Sequence, residues 1–380
     1  MKINLSFWEK EAFFKTVDVL IVGSGIVGLS TAIALKENNP KQKVAVFERG
    51  PLPVGASTRN AGFACFGSMT ELLDDLTHQK EEKVWALVEK RWRGLQRLRA
   101  RLGDDHIGYR HWGGYELFQS TEQKSYEACL DSMKSFNQTL SSITGLPATF
   151  SKADQVKDRF GFQNVPHLIY NQGEGQIHTG RMMAALLALA REKDVDVYNG
   201  MEVADLESIS RGIKVHFRNN WQITATQVLI ATNGFAQQLL PELQVKPARN
   251  QVLVTKPLPS LKIQGTFHYD RGFFYFRNVK DRVLLGGGRC LDLEGEETDE
   301  FGFTTAIQNR LVDLLQTVIL PGMPFEIDTW WSGIMGVGDQ KTPIVRRLGP
   351  HLSVAVRLGG MGVAIGTQTG EEAARLVSDG

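Results

Sequence analysis

Residues 17–39 read VDVLIVGSGIVGLSTAIALKENN. The first six are apolar and β-branched apart from Asp18, the run expected of a strand buried on both faces. Gly23, Gly25 and Gly28 follow as G-x-G-x-x-G, and helical periodicity starts at Ile26, so a tight turn joins strand to helix. KVAVFERG, residues 43–50, reads as a second buried strand ending at Glu48. Strand, glycine turn, helix and strand make a βαβ unit, parallel and right-handed. The first glycine permits the turn, the second lets backbone approach a pyrophosphate, and the third lets the helix pack on the strand. The helix start at Gly25, Ile26 and Val27 offers free N–H groups and a positive dipole end to phosphates. Glu48 is placed to accept from ribose hydroxyls and to repel a 2′-phosphate. The motif by itself does not separate NAD from FAD.

The chain has 380 residues, more than one hydrophobic core usually serves, so two structural units are expected. Lys and Arg (43) balance Asp and Glu (42), which leaves no electrostatic footprint for nucleic acid. The three cysteines, Cys65, Cys129 and Cys290, are dispersed and odd in number, fitting neither a disulfide framework nor a zinc site. A reducing, cytoplasmic setting is expected. Charges at Glu9, Lys10, Glu11 and Lys15 interrupt the leader, which therefore does not read as a signal peptide, and no apolar run reaches transmembrane length.

Further along, residues 70–102 carry Leu, Val and Trp three and four apart, an amphipathic helix. GGYELFQS (113–120) reads as a strand, 121–144 as another helix, and TGRMMAALLALAREKDVDVYNG (179–200) as a helix leading into a strand. GIKVHFRNNWQITATQVLIATNG (212–234) predicts a hairpin about Asn219 and Asn220, then an apolar strand ending at Asn233. Between Gln244 and Arg289 the segments ARNQVLVTKPL, GTFHYDRGFFYFRNV and DRVLLGGGR alternate like antiparallel strands. A helix over 301–319 follows, and the tail returns to strand, glycine turn and helix. The expected fold is α/β (α+β overall). A Rossmann-like nucleotide-binding domain is assembled from 1–75, 150–240 and 328–380, with an inserted, mainly antiparallel β substrate domain from 76–149 and 241–327.

The ERG that ends the second strand, followed by GASTRNAGF (55–63), resembles the flavin-dependent amine and amino acid oxidoreductases of the D-amino-acid oxidase superfamily. GMEVADL (200–206), VLIATNG (228–234) and GGMGVAIGTQTGEEAARLV (359–377) extend the likeness in order along the chain. The resemblance implies that the Rossmann-like domain binds FAD. It places Gly23, Gly25, Ile26, Val27, Gly28, Glu48 and Arg49 at the nucleotide. It lays Ala56, Ser57, Thr58, Asn60, Ala61, Gly62 and Phe63 from the pyrophosphate toward the flavin, with Ser57 and Thr58 as donors. Val203 meets the adenine; Ala231, Thr232, Asn233 and Gly234 lie beside the cofactor. Gly333, Gly360, Met361, Gly362, Val363 and Ala364 face the ring. Arg59 either neutralises phosphate or anchors the loop, and Cys65 and Phe66 come toward the substrate cavity.

The implied activity is oxidation of the C–N bond of a small amine or amino acid by hydride transfer to flavin N5, giving an imine, with oxygen or a quinone as electron acceptor. WSGIMGVGDQKTPIV (331–345) departs from the relatives. Met335 stands where glycine oxidase and D-amino-acid oxidase carry a carboxylate-binding arginine, and Ala364 where sarcosine oxidase aligns a lysine. No cysteine for covalent flavin attachment is nearby, so FAD is expected to be non-covalent. Lys341 offers a replacement charge. FHYDRGFFYFR (267–277) supplies His268, Tyr269, Arg271, Tyr275 and Arg277; alternation puts Tyr275 and Arg277 on one face and Phe274 and Phe276 on the other. The catalytic candidates are Arg277, Tyr275, Lys341 and Met335, with Arg277 expected to hold an acidic or polar substrate group. Arg110 and His111 are weaker candidates, and His178 belongs to a helix-start turn. The histidines lack metal-ligand spacing, so no metal is expected. A 2-hydroxy-acid dehydrogenase of the same fold, and a flavin-binding assembly factor without turnover, are the competing readings.

Overall fold

The computed structural model describes residues 4–378; residues 1–3 and 379–380, the outer ends of the leader and the tail, lie outside the described residues. In the strand Val17–Val22, Val19 and Ile21 enter one apolar cluster while Leu20 and Val22 enter another on the opposite face. Burial on both sides explains the absence of polar residues after Asp18. The strand pairs in parallel with Val44–Glu48 on one side and Gln222–Ile230 on the other. Asp196–Asn199 and Leu352–Val356 extend the parallel run, and Ile344–Arg347 closes one edge antiparallel. The expected hairpin is present, Gly212–Phe217 against Gln222–Ile230, with Asn220 at φ 67°. Val203–Ile209 completes the eight-stranded sheet.

Helices Ile26–Asn38, Glu81–Leu102, Thr179–Glu192 and Gly362–Ser378 cover one face through a shared apolar cluster. The first and last come so close that Thr31 Oγ1 donates to Gly370 O at 3.0 Å. Helices from the two ends of the chain therefore share one layer.

A second eight-stranded sheet runs in the order Ile327–Val337, Lys246–Thr255, Arg282–Gly287, Phe274–Val279, Thr266–Tyr269, Gly114–Phe118, His167–Asn171 and Phe150–Lys152. All its pairs are antiparallel except Thr266–Tyr269 with Gly114–Phe118. Segments that the expected bounds 150–240 and 328–380 assign to the nucleotide-binding domain instead form strands of this sheet: Phe150–Lys152, His167–Asn171 and most of Ile327–Val337. For Ile327–Val337 the reason is a ten-residue ladder with Lys246–Thr255, which places the segment by backbone pairing.

Two helices are also reshaped. The 70–102 stretch divides into Met69–His78 and Glu81–Leu102, the first started by a Ser68 and Glu71 capping box. The helix expected from 301 begins at Thr305. Residues before it are held extended by Thr304, whose N–H donates to Gln251 Oε1 at 3.1 Å and whose hydroxyl donates to the buried Glu296.

Candidate functional site

Gly23 sits at φ 104°, and a Cβ there would come within 3.0 Å of Ala231 O. At Gly28 a Cβ would lie 2.0 Å from Gly23 O, so strand and helix meet only because both positions lack side chains. The turn opens beside Glu48. The Oε2 of Glu48 accepts from Ser24 N (3.2 Å) and Ser24 Oγ (2.8 Å), and Oε1 accepts from Gly50 N (3.0 Å). The carboxylate is thus oriented at the C-terminal edge of the parallel sheet, where ligands of such sheets bind.

A cavity of about 600 Å³ lies between the two sheets. Its nucleotide side is lined by Gly23, Gly25, Ile26, Val27, Glu48, Arg49, Val203, Ala231, Thr232 and Asn233, and by Ala56, Ser57, Asn60, Ala61, Gly62 and Phe63. Gly333, Gly360, Met361, Gly362 and Val363 line it from the C-terminal segments. Gly28, Gly234 and Ala364 instead pack behind the wall, against Gly23, Met335 and Gly94. Thr58 turns into its own loop, donating to Pro53 O at 2.6 Å, and is not among the lining residues. Ser57 Oγ accepts from Ile26 N at 2.9 Å, tying the loop to the helix start. Of the two roles open to Arg59, the structure shows the anchor: Nη1 donates to Ser332 O at 2.9 Å and Nε to Val54 O at 3.0 Å.

The other side of the cavity carries the substrate candidates. Tyr275 lines it beside Phe63, with ring centroids 5.6 Å apart, while Phe274 and Phe276 enter the core behind the sheet, as the alternation predicts. Met335 also lines it, and its Sδ accepts from Asn250 Nδ2 at 3.2 Å. Arg277 does not reach the cavity. Its Nε donates to Ala61 O and its Nη2 to Ile177 O at 3.1 Å, so it holds the backbone beneath the 60–62 loop. Burial lowers its pKa to about 10, which leaves it charged at neutral pH. Lys341 reaches the cavity but is paired, Nζ lying 2.5 Å from Oδ1 of the buried Asp75. Both side chains are engaged by partners distant along the chain, which local sequence pattern cannot reveal.

Arg110 contacts Asp105 at 3.7 Å and His111 bonds Gln172 O; neither lines the cavity. His178 caps Thr179–Glu192, accepting from Arg181 N at 3.2 Å. Cys65 is buried against the cavity and burial pushes its thiol pKa well up; Phe66 turns into a separate core. The sequence reading missed Glu71 and Asp74, which line the cavity, and Glu174, whose Oε1 lies 2.7 Å from His268 Nε2. The capping box at Ser68 signals Glu71, but nothing in the local pattern of Glu174 sets it apart.

Residues 18–376 match the family described as DAO, FAD dependent oxidoreductase. The chain belongs to this family. It is 28% identical over 282 residues to glycine oxidase of Geobacillus kaustophilus, covering 71% of this chain and 69% of that protein. The crystal structure of that glycine oxidase superposes with a TM-score of 0.75 at 22% identity, covering 96% and 95% of the two chains. L-proline dehydrogenase from P. horikoshii gives 0.75 at 16% identity, covering 97% and 94%. The two-sheet architecture is therefore that of the FAD dependent oxidoreductases.

The cavity fits the family's cofactor. Thr232 Oγ1 is buried without a partner on its wall, and Gly23, Gly25, Gly62, Gly333, Gly360 and Gly362 line it without side chains. The first amides of Gly362–Ser378 have no intrahelical acceptor and carry the helix's positive end. An anionic dinucleotide meets all three needs: an acceptor for a stranded hydroxyl, a thin ligand face against bare backbone, and negative charge at a helix start. No described helix is long and apolar enough to cross a membrane.

Proposed function

We propose that the chain oxidises the C–N bond of a small amine or amino acid, with oxygen or a quinone as the final electron acceptor. Supporting this is one continuous cavity that joins the nucleotide cradle to a chamber lined by aromatic rings and by side chains of both charges. Glu48 and the Val203 backbone would hold the adenosine end, the 55–63 loop and the Gly25 turn the pyrophosphate, and Gly360 to Val363 the ring, without a covalent link. Bound FAD would supply the oxidising chemistry, acting as hydride acceptor for the C–N oxidation proposed here.

The chain's own residues prepare that event. Phe63 and Tyr275 wall the chamber with aromatic surface and keep bulk water from the reacting carbon. Glu71 and Asp74 line the cavity, where their charge favours entry of an ammonium group. The free thiols Cys65, Cys129 and Cys290 suit a cytoplasmic setting.

Mixing the FAD-loaded protein anaerobically with a panel of amines, amino acids and 2-hydroxy acids tests the proposal through loss of the oxidised flavin absorbance. At least one amine or amino acid should bleach it. Bleaching by hydroxy acids alone would replace this reading with a dehydrogenase acting on C–OH, and inertness to the whole panel would favour a binding role without turnover.

A further inference from the structure

Arg277, behind the cavity wall, is engaged by two carbonyls, and of the lining cations Lys341 is paired with Asp75 and Arg59 donates to Ser332 and Val54; Arg49, Arg271 and Arg289 also line the cavity, and none of these three is buried. His268 differs. It lies within Thr266–Tyr269, is 5% exposed and lines the cavity, with its ring edge-on to Phe63 at 5.2 Å between centroids. Its Nε2 is held by Glu174 Oε1 at 2.7 Å. Glu174 is itself fixed: Oε1 accepts from Thr266 Oγ1 at 2.8 Å and Oε2 from Asn171 Nδ2 at 3.4 Å. The other ring nitrogen, Nδ1, has no protein partner among the described residues and is left to the cavity.

Cys65, Glu174 and His268 offer ligand atoms within 4.8 Å of one another, which raises the question of a metal ion. The 2.7 Å separation of the histidine nitrogen and carboxylate oxygen answers against one. Two ligands each about 2.0–2.1 Å from a tetrahedral ion stand roughly 3.3 Å apart, so the observed contact is a hydrogen bond.

We propose that His268 holds the carboxylate of an acidic substrate through its Nδ1–H, and that Glu174 is the positioning residue that fixes the ring and keeps it cationic. The inference rests on the proposed amine or amino acid oxidation for its substrate, and it supplies the positive group that Met335 does not. Burial draws the histidine's pKa down. Glu174, by charge and hydrogen bond, overcomes this with help from Glu71 and from Glu116 on the neighbouring strand, raising it to about 9. The adjacent Cys65 thiol stays neutral because burial pushes its pKa up. A charge-assisted bond from this buried imidazolium is strong enough to select a carboxylate.

The test uses FAD-loaded wild type, His268→Gln and Glu174→Gln, each titrated with acetate and separately with propylamine while the flavin absorbance is followed. No turnover is needed. His268→Gln should weaken acetate binding by about tenfold to a hundredfold and leave propylamine unchanged. In the wild type, acetate affinity should fall as pH rises through about 9, where the imidazolium loses its proton. In Glu174→Gln the fall should move to lower pH. Equal acetate affinity in wild type and His268→Gln overturns the assignment. So does a wild-type acetate affinity that is flat from about pH 7 to pH 10, a readout that requires no variant to fold. Acetate binding as expected in a protein whose flavin no amine or amino acid bleaches would retain the anion site while the oxidation reading fails.

Discussion

Arg277 shows why charge and strand phase do not assign a role by themselves. It occupies the face that alternation predicts, yet its guanidinium joins the second sheet to the 60–62 backbone. Replacing it with methionine keeps much of the volume and strands the Ala61 and Ile177 carbonyls in a buried place. Each stranded acceptor costs about 1–3 kcal/mol, so Arg277→Met should lose roughly 2–4 kcal/mol in urea denaturation and release FAD faster by flavin fluorescence. A substrate-holding arginine would behave differently. A variant that kept its stability and its flavin but showed a raised KM for acidic substrates would restore the substrate role.

At the scale of elements, helix packing through small residues sets the nucleotide-binding layer. A Cβ on Gly94 would lie 2.3 Å from Ala364 O, and one on Gly370 would lie 2.6 Å from Ser30 Cβ and 2.8 Å from Val27 O. Alanine is the better helix former by about 1 kcal/mol, but a backbone oxygen at such range cannot give way without parting the helices, which costs about 1–3 kcal/mol. Sterics should win, so Gly94→Ala and Gly370→Ala are each expected to lower the melting temperature. Gly349→Ala, which meets nothing within 4 Å, should not. An equal or higher melting temperature for Gly370→Ala would show that the two helices are less closely packed than described.

The same scale explains what was legible in the sequence. The glycine turn, Glu48 and the strand phases are local patterns, readable because each depends on residues a few positions apart. The acceptors of Arg277 lie 216 and 100 residues away along the chain, and Glu174 meets His268 across 94. Such pairs exist only once both sheets are assembled. Ile327–Val337 belongs to the second sheet for the same reason: the ladder with Lys246–Thr255 decides, and that partner lies about 80 residues away along the chain.

For the whole molecule, the cavity's lining extends from Val22 to Val363 and draws on both sheets, so a ligand filling it contacts segments that only the folded chain brings together. FAD should therefore bind the native state and not the unfolded chain. A ligand of that kind stabilises by RT ln(1 + [L]/Kd), about 2.7 kcal/mol at a hundredfold excess over Kd. Flavin-free protein titrated with FAD should show one cooperative unfolding transition whose midpoint climbs by several degrees and keeps rising with FAD concentration. Splitting into two transitions, with only one responding to FAD, would mean that the second sheet folds independently and gains nothing from the cofactor. A single shifting transition is the expected outcome because the loop that cradles the nucleotide is tied into the second sheet by Arg59 on Ser332, by Trp331 Nε1 donating to Arg59 O at 2.9 Å, and by Arg277. Ordering that loop around FAD then stabilises the sheet that closes the substrate chamber.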